Sequence, residues 1–150
     1  MIILTSFFLV IIGSIDDSIK LGVPIRLITQ LFFSLMIIGS GLKIISLGSY
    51  EFLPQINLGM FSILLTVIAV MGLTNALNFI DGIDGLCASL SIVAFLSLGI
   101  IFYLEGYTFF YNIIIVYIAC LASFLFFNLI FFNLPKIFLG DSGSMFLGFS

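Results

Sequence analysis

Charge is what this sequence has least of. Only 7% of its 150 residues are charged, 63% are hydrophobic, and the mean hydropathy is +1.43. Soluble domains average about a quarter charged residues, and a soluble fold of this size would still need a polar exterior. Because the chain has too few polar side chains to build one, the composition predicts an integral membrane protein.

Other scarce residue types exclude whole classes of function. Four Lys and Arg and a net charge of −3 argue against a nucleic-acid partner, because phosphate backbones are bound by clustered cations. The sequence has no His, so these 150 residues support no mechanism that needs imidazole. Cys87 and Cys120 lie in apolar runs without metal or redox spacing, which predicts inert thiols.

Apolar runs alternate with short polar breaks along the chain. The runs lack period-2 alternation, which argues against a β-barrel, and helices satisfy their own backbone groups in lipid. We therefore expect an all-α, polytopic transmembrane helix bundle of five to six spans, forming one membrane domain over residues 1–150. The predicted spans are approximately 1–15, 25–42, 58–74, 86–104, 109–129 and a sixth that begins near Ser144.

The acidic residues sort by membrane face. Each span crosses the bilayer once, so alternate breaks share a side; every Asp falls in the odd-numbered breaks, whereas Glu51 and Glu105 fall in the others. Three basic residues flank the Asp-rich face: Lys20, Arg26 and Lys136. Since only Lys43 lies opposite, the positive-inside rule places the Asp-rich face in the cytoplasm.

The first polar station is Asp16-Asp17, at the end of the first predicted span. Adjacent carboxylates repel, so keeping both ionised near a membrane requires a cation or a proton-sharing partner. Ionisable residues at membrane depth favour a functional role. The alternative is simple interfacial polarity, with Asp17 paired to Lys20.

The second station is the segment NALNFIDGIDGL, residues 75–86. Its polar residues are spaced by three, so Asn75 and Asn78 share one helix face, and Gly82 and Gly85 then interrupt the helix. Amide and carboxylate oxygens gathered in one place suit a hard cation such as Mg²⁺. A glycine-rich turn with Asp as a helix cap is the alternative.

The third station is Gly140-Asp141-Ser142-Gly143-Ser144. It is typical of a turn that opens the next span, and capping by Asp141 or Ser142 is the structural alternative. The sequence has neither a P-loop pattern nor a basic run. If these stations handle phosphates, Mg²⁺ held by protein and substrate oxygens must supply most of the positive charge.

In this order, the stations resemble those of the polyprenyl-phosphate N-acetylhexosamine-1-phosphate transferases, the glycosyltransferase 4 family. The matching segments are Asp16-Asp17, NALNFIDGIDGL, FLFFN ending at Asn128, and IFLGDSGS. The resemblance implies transfer of a sugar-1-phosphate, first of all GlcNAc-1-phosphate, from a UDP-sugar to undecaprenyl phosphate with release of UMP. It places this reaction in cell-envelope polysaccharide biosynthesis, at the cytoplasmic face of the bacterial plasma membrane.

The resemblance also implies residue roles. Asp16 and Asp17 match the catalytic Asp pair, and Asn78 and Asp141 match the ligands of Mg²⁺, with Mn²⁺ as an alternative. Four residues match substrate-binding positions: Asn75, Asp81, Asp84 and Asn128. Asn133 is an alternative to Asn128.

Departures from the family leave other interpretations open. Family members are longer and carry a later loop rich in His and Arg, so we expect a fragment of a larger transferase, and an inactive fragment is one alternative. An ion-coupled transporter would place acids near mid-span. An intramembrane aspartyl protease with Asp84 and Asp141 as its dyad leaves Asp16 and Asp17 without a role. A CDP-alcohol phosphotransferase requires Ala-Arg where this chain has Ile83-Asp84.

Overall fold

The computed structural model describes residues 2–48, 55–130 and 138–150. Within these ranges the chain forms α-helices, with one isolated antiparallel bridge between Ser46 and Asn57 and no strand. The predicted all-α class is confirmed. The helices are α1 (Ile2–Ile19), α2 (Val23–Gly39), α3 (Phe61–Ile80), α4 (Leu86–Leu104), α5 (Thr108–Ile130) and α6 (Gly140–Phe149).

Several helices extend past the apolar runs that predicted them. The prediction ended the first span near residue 15 and the third near residue 74, whereas α1 continues to Ile19 and α3 to Ile80. α6 begins at Gly140, earlier than the predicted Ser144. An apolar run marks the part of a helix that suits lipid, but the backbone hydrogen bonds of the helix join main-chain groups and can continue past that run. The predicted polar stations therefore lie partly inside helices.

Three helices are long and apolar enough to cross a membrane among the described residues: Phe61–Ile80, Leu86–Leu104 and Thr108–Leu129. Val23–Gly39 is apolar but shorter. α1 has 18 residues and carries two Asp near its end, and α6 has 10. The predicted polytopic bundle is confirmed as a class, with three of its helices meeting both the length and the hydropathy expected of a span.

The helices pack as two compact units. The first, called here the N-terminal unit, comprises the described part of Met1–Leu77 together with Gly140–Ser150. In it α1 packs against α6 and α2. Its hydrophobic core is formed by side chains from three helices: Leu9, Phe33, Ile37 and Phe149. Val70 of α3 packs against this core.

Between α2 and α3, residues 46–48 pair with residues 56–57, and this pairing is fixed to the start of α3. The Leu47 amide donates to the Ile56 carbonyl at 3.1 Å, and the Ile44 amide donates to the Thr66 hydroxyl at 3.0 Å. The Ser62 hydroxyl donates to the Ile44 carbonyl. Two stretches of the predicted breaks lie outside the described residues. One contains Glu51, and the other contains Lys136 and Asn133, the alternative to Asn128.

The second unit, called here the hairpin unit, is the described part of Asn78–Leu139. Its α4 and α5 form an antiparallel helical hairpin, which reverses at Gly106 with φ +76°. The rings of Phe95 and Tyr117 stack with centroids 5.2 Å apart. A Cβ added at Gly99 would lie 3.3 Å from Cγ2 of Ile114, so small and branched residues interlock there.

Candidate functional site

Asp16 is buried where α1 ends. Its side chain is 2% exposed, and its Oδ1 accepts a hydrogen bond from the Leu21 amide at 2.7 Å. Lys20, with φ +55°, turns the chain at this point. One carboxylate oxygen therefore closes the connection from α1 to α2, and the other is directed to Arg26.

Arg26 links two of the predicted site residues. It follows Pro24 in the first turns of α2, and its side chain is 19% exposed. Its Nε lies 3.3 Å from Oδ2 of Asp16, and its Nη1 lies 3.7 Å from Oδ2 of Asp141. The sequence analysis used Arg26 only to orient the membrane. The short α1–α2 connection beside an Asp pair was the signal that could have identified it.

Asp17 lies on the N-terminus of α6. Its Oδ1 accepts from the Asp141 amide at 2.8 Å, and its Oδ2 accepts from the Ser142 amide at 3.3 Å and the Ser142 hydroxyl at 3.0 Å. The first amides of a helix lack partners within the helix and attract an anion. Capping by Asp141 or Ser142 was the structural alternative for this station. In the structure, Asp17 of α1 supplies the cap of α6.

Glycines permit this contact between α1 and α6. A Cβ at Gly13 would lie 2.4 Å from Cα of Ser142, and a Cβ at Gly140 would lie 2.9 Å from Oδ2 of Asp17. Gly140 also has φ +71°, a conformation that glycine adopts readily. The two backbones therefore approach closely enough for the short side chain of Asp17 to span the gap.

Several charged groups meet in this cluster. Three carboxylates, those of Asp16, Asp17 and Asp141, lie around the Arg26 guanidinium and the partly positive end of α6. Asp16 pairs with the Arg26 cation, whereas Asp17 is held by the amides of the helix end.

Asn75 is joined to α2 through Gln30. The Asn75 amide nitrogen donates to Oε1 of Gln30 at 2.6 Å and to the Met71 carbonyl at 2.7 Å. Gln30 is 1% exposed and lies four positions after Arg26, on the same face of α2. The sequence analysis missed Gln30, although a lone amide inside an apolar helix is the usual sign of an interhelical contact.

The hairpin unit carries the other predicted residues. α3 ends at Ile80, as the glycines predicted, and Asp81 and Asp84 lie in the turn before α4. Gly85, with φ +69°, packs against the side chains of Leu125 and Leu129 of α5. Asn128 is 4% exposed and lies in that same turn of α5. The structure therefore brings the Asp-Gly turn to the part of α5 that contains Asn128.

The predicted metal ligands are oxygen donors. Among residues 2–48, 55–130 and 138–150, no three acidic, His or Cys side chains are grouped so that they could enclose an ion. Mg²⁺ is usually held by one or two carboxylates together with substrate phosphates, so a carboxylate such as Asp141 suits it. Asn78 belongs to one unit and Asp141 to the other, and their joint role stays a prediction.

The fold and the acidic cluster define a polytopic membrane protein with ionisable groups gathered at helix ends. The sequence model of glycosyl transferase family 4 matches residues 1–150, and the chain belongs to this family. It is 37% identical over 146 residues to a "Probable undecaprenyl-phosphate N-acetylglucosaminyl 1-phosphate transferase" of Bacillus subtilis (strain 168), covering 97% of this chain and 40% of the relative.

Two further relatives carry the name "Undecaprenyl-phosphate alpha-N-acetylglucosaminyl 1-phosphate transferase". The Escherichia coli O157:H7 protein is 36% identical over 144 residues, covering 95% of this chain and 39% of the relative. The Yersinia pestis protein is 36% identical over 145 residues, covering 95% of this chain and 40% of the relative. The chain thus spans about two fifths of the length of the curated relatives it matches.

Proposed function

We propose that the protein transfers GlcNAc-1-phosphate from UDP-GlcNAc to undecaprenyl phosphate and releases UMP. The reaction serves cell-envelope polysaccharide biosynthesis at the cytoplasmic face of the bacterial plasma membrane. Family membership and the names of the relatives support the reaction class. The structural observation that carries the proposal is the cluster of Asp16, Arg26 and Asp141 at adjoining helix ends.

The cluster suits a phosphoryl transfer between a lipid and a soluble donor. An oxygen of the acceptor phosphate attacks the β-phosphorus of UDP-GlcNAc; that O–P bond forms while the bond to the UMP oxygen breaks. Asp16 and Asp17 belong to the catalytic centre in this proposal, with Asp16 activating the acceptor phosphate. Arg26 orients Asp16 and offers a cation to phosphate oxygens. Placing both substrates at one set of helix ends makes their encounter local.

Mg²⁺ is the proposed cofactor, with Mn²⁺ as an alternative. Asp141 and Asn78 would hold it, because carboxylate and amide oxygens are the ligands that a hard cation prefers. When bound, the ion would neutralise charge on the diphosphate of the donor and on the departing UMP.

The residues proposed to bind the nucleotide are Asp81, Asp84 and Asn128. Asp81 and Asp84 face the nucleotide, and Asn128 supports them through the turn of α5 that contacts Gly85. Asn75, fixed to α2 by Gln30, completes the proposed substrate-binding set. In this proposal, residues 1–150 form a single membrane domain, which is the central part of a larger transferase.

UMP release tests the proposed function directly. The protein, expressed from its complete gene in membranes, is supplied with UDP-GlcNAc, undecaprenyl phosphate and Mg²⁺, and both UMP and the lipid-linked sugar are measured. We expect chelation to stop the reaction and added Mg²⁺ to restore it. Absence of lipid-linked product with this acceptor would contradict the proposal.

The metal ligands are tested in the same assay. Asp141→Ala and Asn78→Ala should each abolish Mg²⁺-dependent UMP release. Ser97→Ala is the matched control, since Ser97 is exposed in α4 and its hydroxyl bonds only within its helix, to the Val93 carbonyl at 2.9 Å. Near-normal turnover in either site variant would remove that residue from the metal site.

A further inference from the structure

We infer that Asp17 is a positioning residue: from α1 it holds the first turn of α6 and thereby fixes the direction of Asp141. The inference rests on the proposed function, in which Asp141 is a metal ligand. It separates the roles of two acids that are neighbours in sequence, Asp16 and Asp17.

The contacts of the Asp17 carboxylate are with the helix end. Both of its oxygens accept hydrogen bonds from α6: Oδ1 from the Asp141 amide at 2.8 Å, and Oδ2 from the Ser142 amide and hydroxyl at 3.3 and 3.0 Å. Three donors on two adjacent residues hold the carboxylate in one orientation. Both oxygens of the carboxylate are thereby occupied by donors of α6.

Asp16 has different surroundings. One of its oxygens accepts from the Leu21 amide at 2.7 Å, and the other lies 3.3 Å from Nε of Arg26. Because that same guanidinium also lies 3.7 Å from Oδ2 of Asp141, Asp16 faces the shared cation while Asp17 holds the backbone. Adjacent residues in a helix point in directions about 100° apart, which is why the pair divides in this way.

The backbone around α6 is built for a cap from another helix. Gly140, just before Asp141, has φ +71°, and a Cβ there would meet the Asp17 carboxylate at 2.9 Å. One helical turn earlier in α1, Gly13 allows the backbone at Ser142 to approach. The direction of the Asp141 side chain depends on the backbone that Asp17 fixes, so loss of the cap should reach the chemistry through Asp141.

The experiment compares Asp17→Ala with Asp17→Asn in the membrane-embedded protein expressed from its complete gene. Hydrogen–deuterium exchange over residues 140–144 and Mg²⁺-dependent UMP release are measured on each variant. Asn keeps one acceptor oxygen but replaces the other with an amide nitrogen that only donates, so Asp17→Asn should lie between wild type and Asp17→Ala in both protection and turnover. Asp17→Ala should raise exchange about tenfold and lower turnover by a similar factor, since a lost hydrogen bond to a charged group has that order of effect.

Two further variants sharpen the comparison. Ser142→Ala removes one donor and leaves both amides, so its effect should be smaller than that of Asp17→Ala, and the two should be non-additive when combined. Ser18→Ala is the matched control, because exposed Ser18 adjoins Asp17 but bonds the Ser14 carbonyl of its own helix at 2.9 Å. It should leave both exchange and turnover unchanged.

Turnover that follows protection across the series supports a positioning role. A variant that keeps wild-type protection but loses turnover would overturn it in favour of direct chemistry by Asp17. A variant that loses protection but keeps turnover would show that the cap does not serve the reaction. If the wild-type protein makes no lipid-linked product, the proposed function fails, whereas unchanged exchange in Asp17→Ala would by itself overturn the cap.

Discussion

The two units hold their helices together by different means. In the N-terminal unit, glycines bring backbones into contact: added Cβ atoms at Gly13 and Gly148 would lie 2.4 Å from Cα atoms of neighbouring helices. In the hairpin unit, side chains meet instead, as in the stacked rings of Phe95 and Tyr117. Backbone contact allows a side chain as short as Asp to reach another helix, and the unit with such contacts is the one that gathers Asp16, Asp17 and Asp141.

Substituting the packing glycines tests this difference with the largest expected effect. Gly13→Ala forces a Cβ into the backbone of Ser142 and should cost about 3 kcal/mol of unfolding free energy. Gly99→Ala in the hairpin unit meets only Cγ2 of Ile114, at 3.3 Å, and should change it by less than about 1 kcal/mol. Thermal unfolding in detergent measures both. Equal losses would mean that the two units pack alike.

Gly72→Ala is the control for these glycine substitutions. Gly72 lies within α3 and no atom of the described residues lies within 4 Å of its added Cβ, so the change should be neutral or stabilising through helix propensity, by up to about 1 kcal/mol. A large loss there would show that the method reports helix composition rather than packing.

Removing Arg26 should have the next largest effect. Arg26→Ala leaves the buried Asp16 carboxylate without its guanidinium and should cost about 2 kcal/mol; fully buried pairs cost more, but Arg26 is 19% exposed. UMP release should fall at least about tenfold, because Asp16 and Asp141 lose their shared partner. Arg26→Lys should be intermediate, since an ammonium cannot reproduce the fork geometry. Full activity in Arg26→Ala would exclude it from the site.

Breaking the amide pair should have a smaller effect. Gln30→Ala removes the partner of Asn75 but leaves its bond to the Met71 carbonyl, and hydrogen bonds between helices in membranes contribute about 1 kcal/mol. We expect a loss of that order in thermal unfolding, together with a higher KM for UDP-GlcNAc. Ser123→Ala is the control in the hairpin unit, since the exposed Ser123 hydroxyl bonds within its own helix.

The smallest effect is expected where residues 46–48 pair with residues 56–57 between α2 and α3, away from the acidic cluster. Thr66→Val keeps the side-chain shape but removes the acceptor of the Ile44 amide, which should cost about 1 kcal/mol. Turnover should stay unchanged, as measured by UMP release per folded protein. A loss of turnover in Thr66→Val would mean that the pairing between α2 and α3 affects the reaction.

The sequence predicted the features that depend on local pattern. Apolar runs gave the positions of α4 and α5 closely, and Gly85 ended the Asp-Gly turn where expected. The contacts of Asp17 with α6 and of Asn75 with Gln30 were not predicted. They join residues far apart in the chain, and which helices become neighbours depends on packing rather than on spacing. Arg26 was missed because a single cation forms no sequence pattern.

The most direct test is transfer of radiolabelled GlcNAc-1-phosphate to undecaprenyl phosphate by the Asp16→Asn protein, expressed from its complete gene. The amide keeps the shape of Asp16 but not its charge or its basicity. Turnover per folded protein should fall at least about 100-fold, as loss of a general base does, while Ser14→Ala, an exposed position in the same helix, should be unchanged. Near-wild-type transfer by Asp16→Asn would contradict the assignment of the acidic cluster to catalysis.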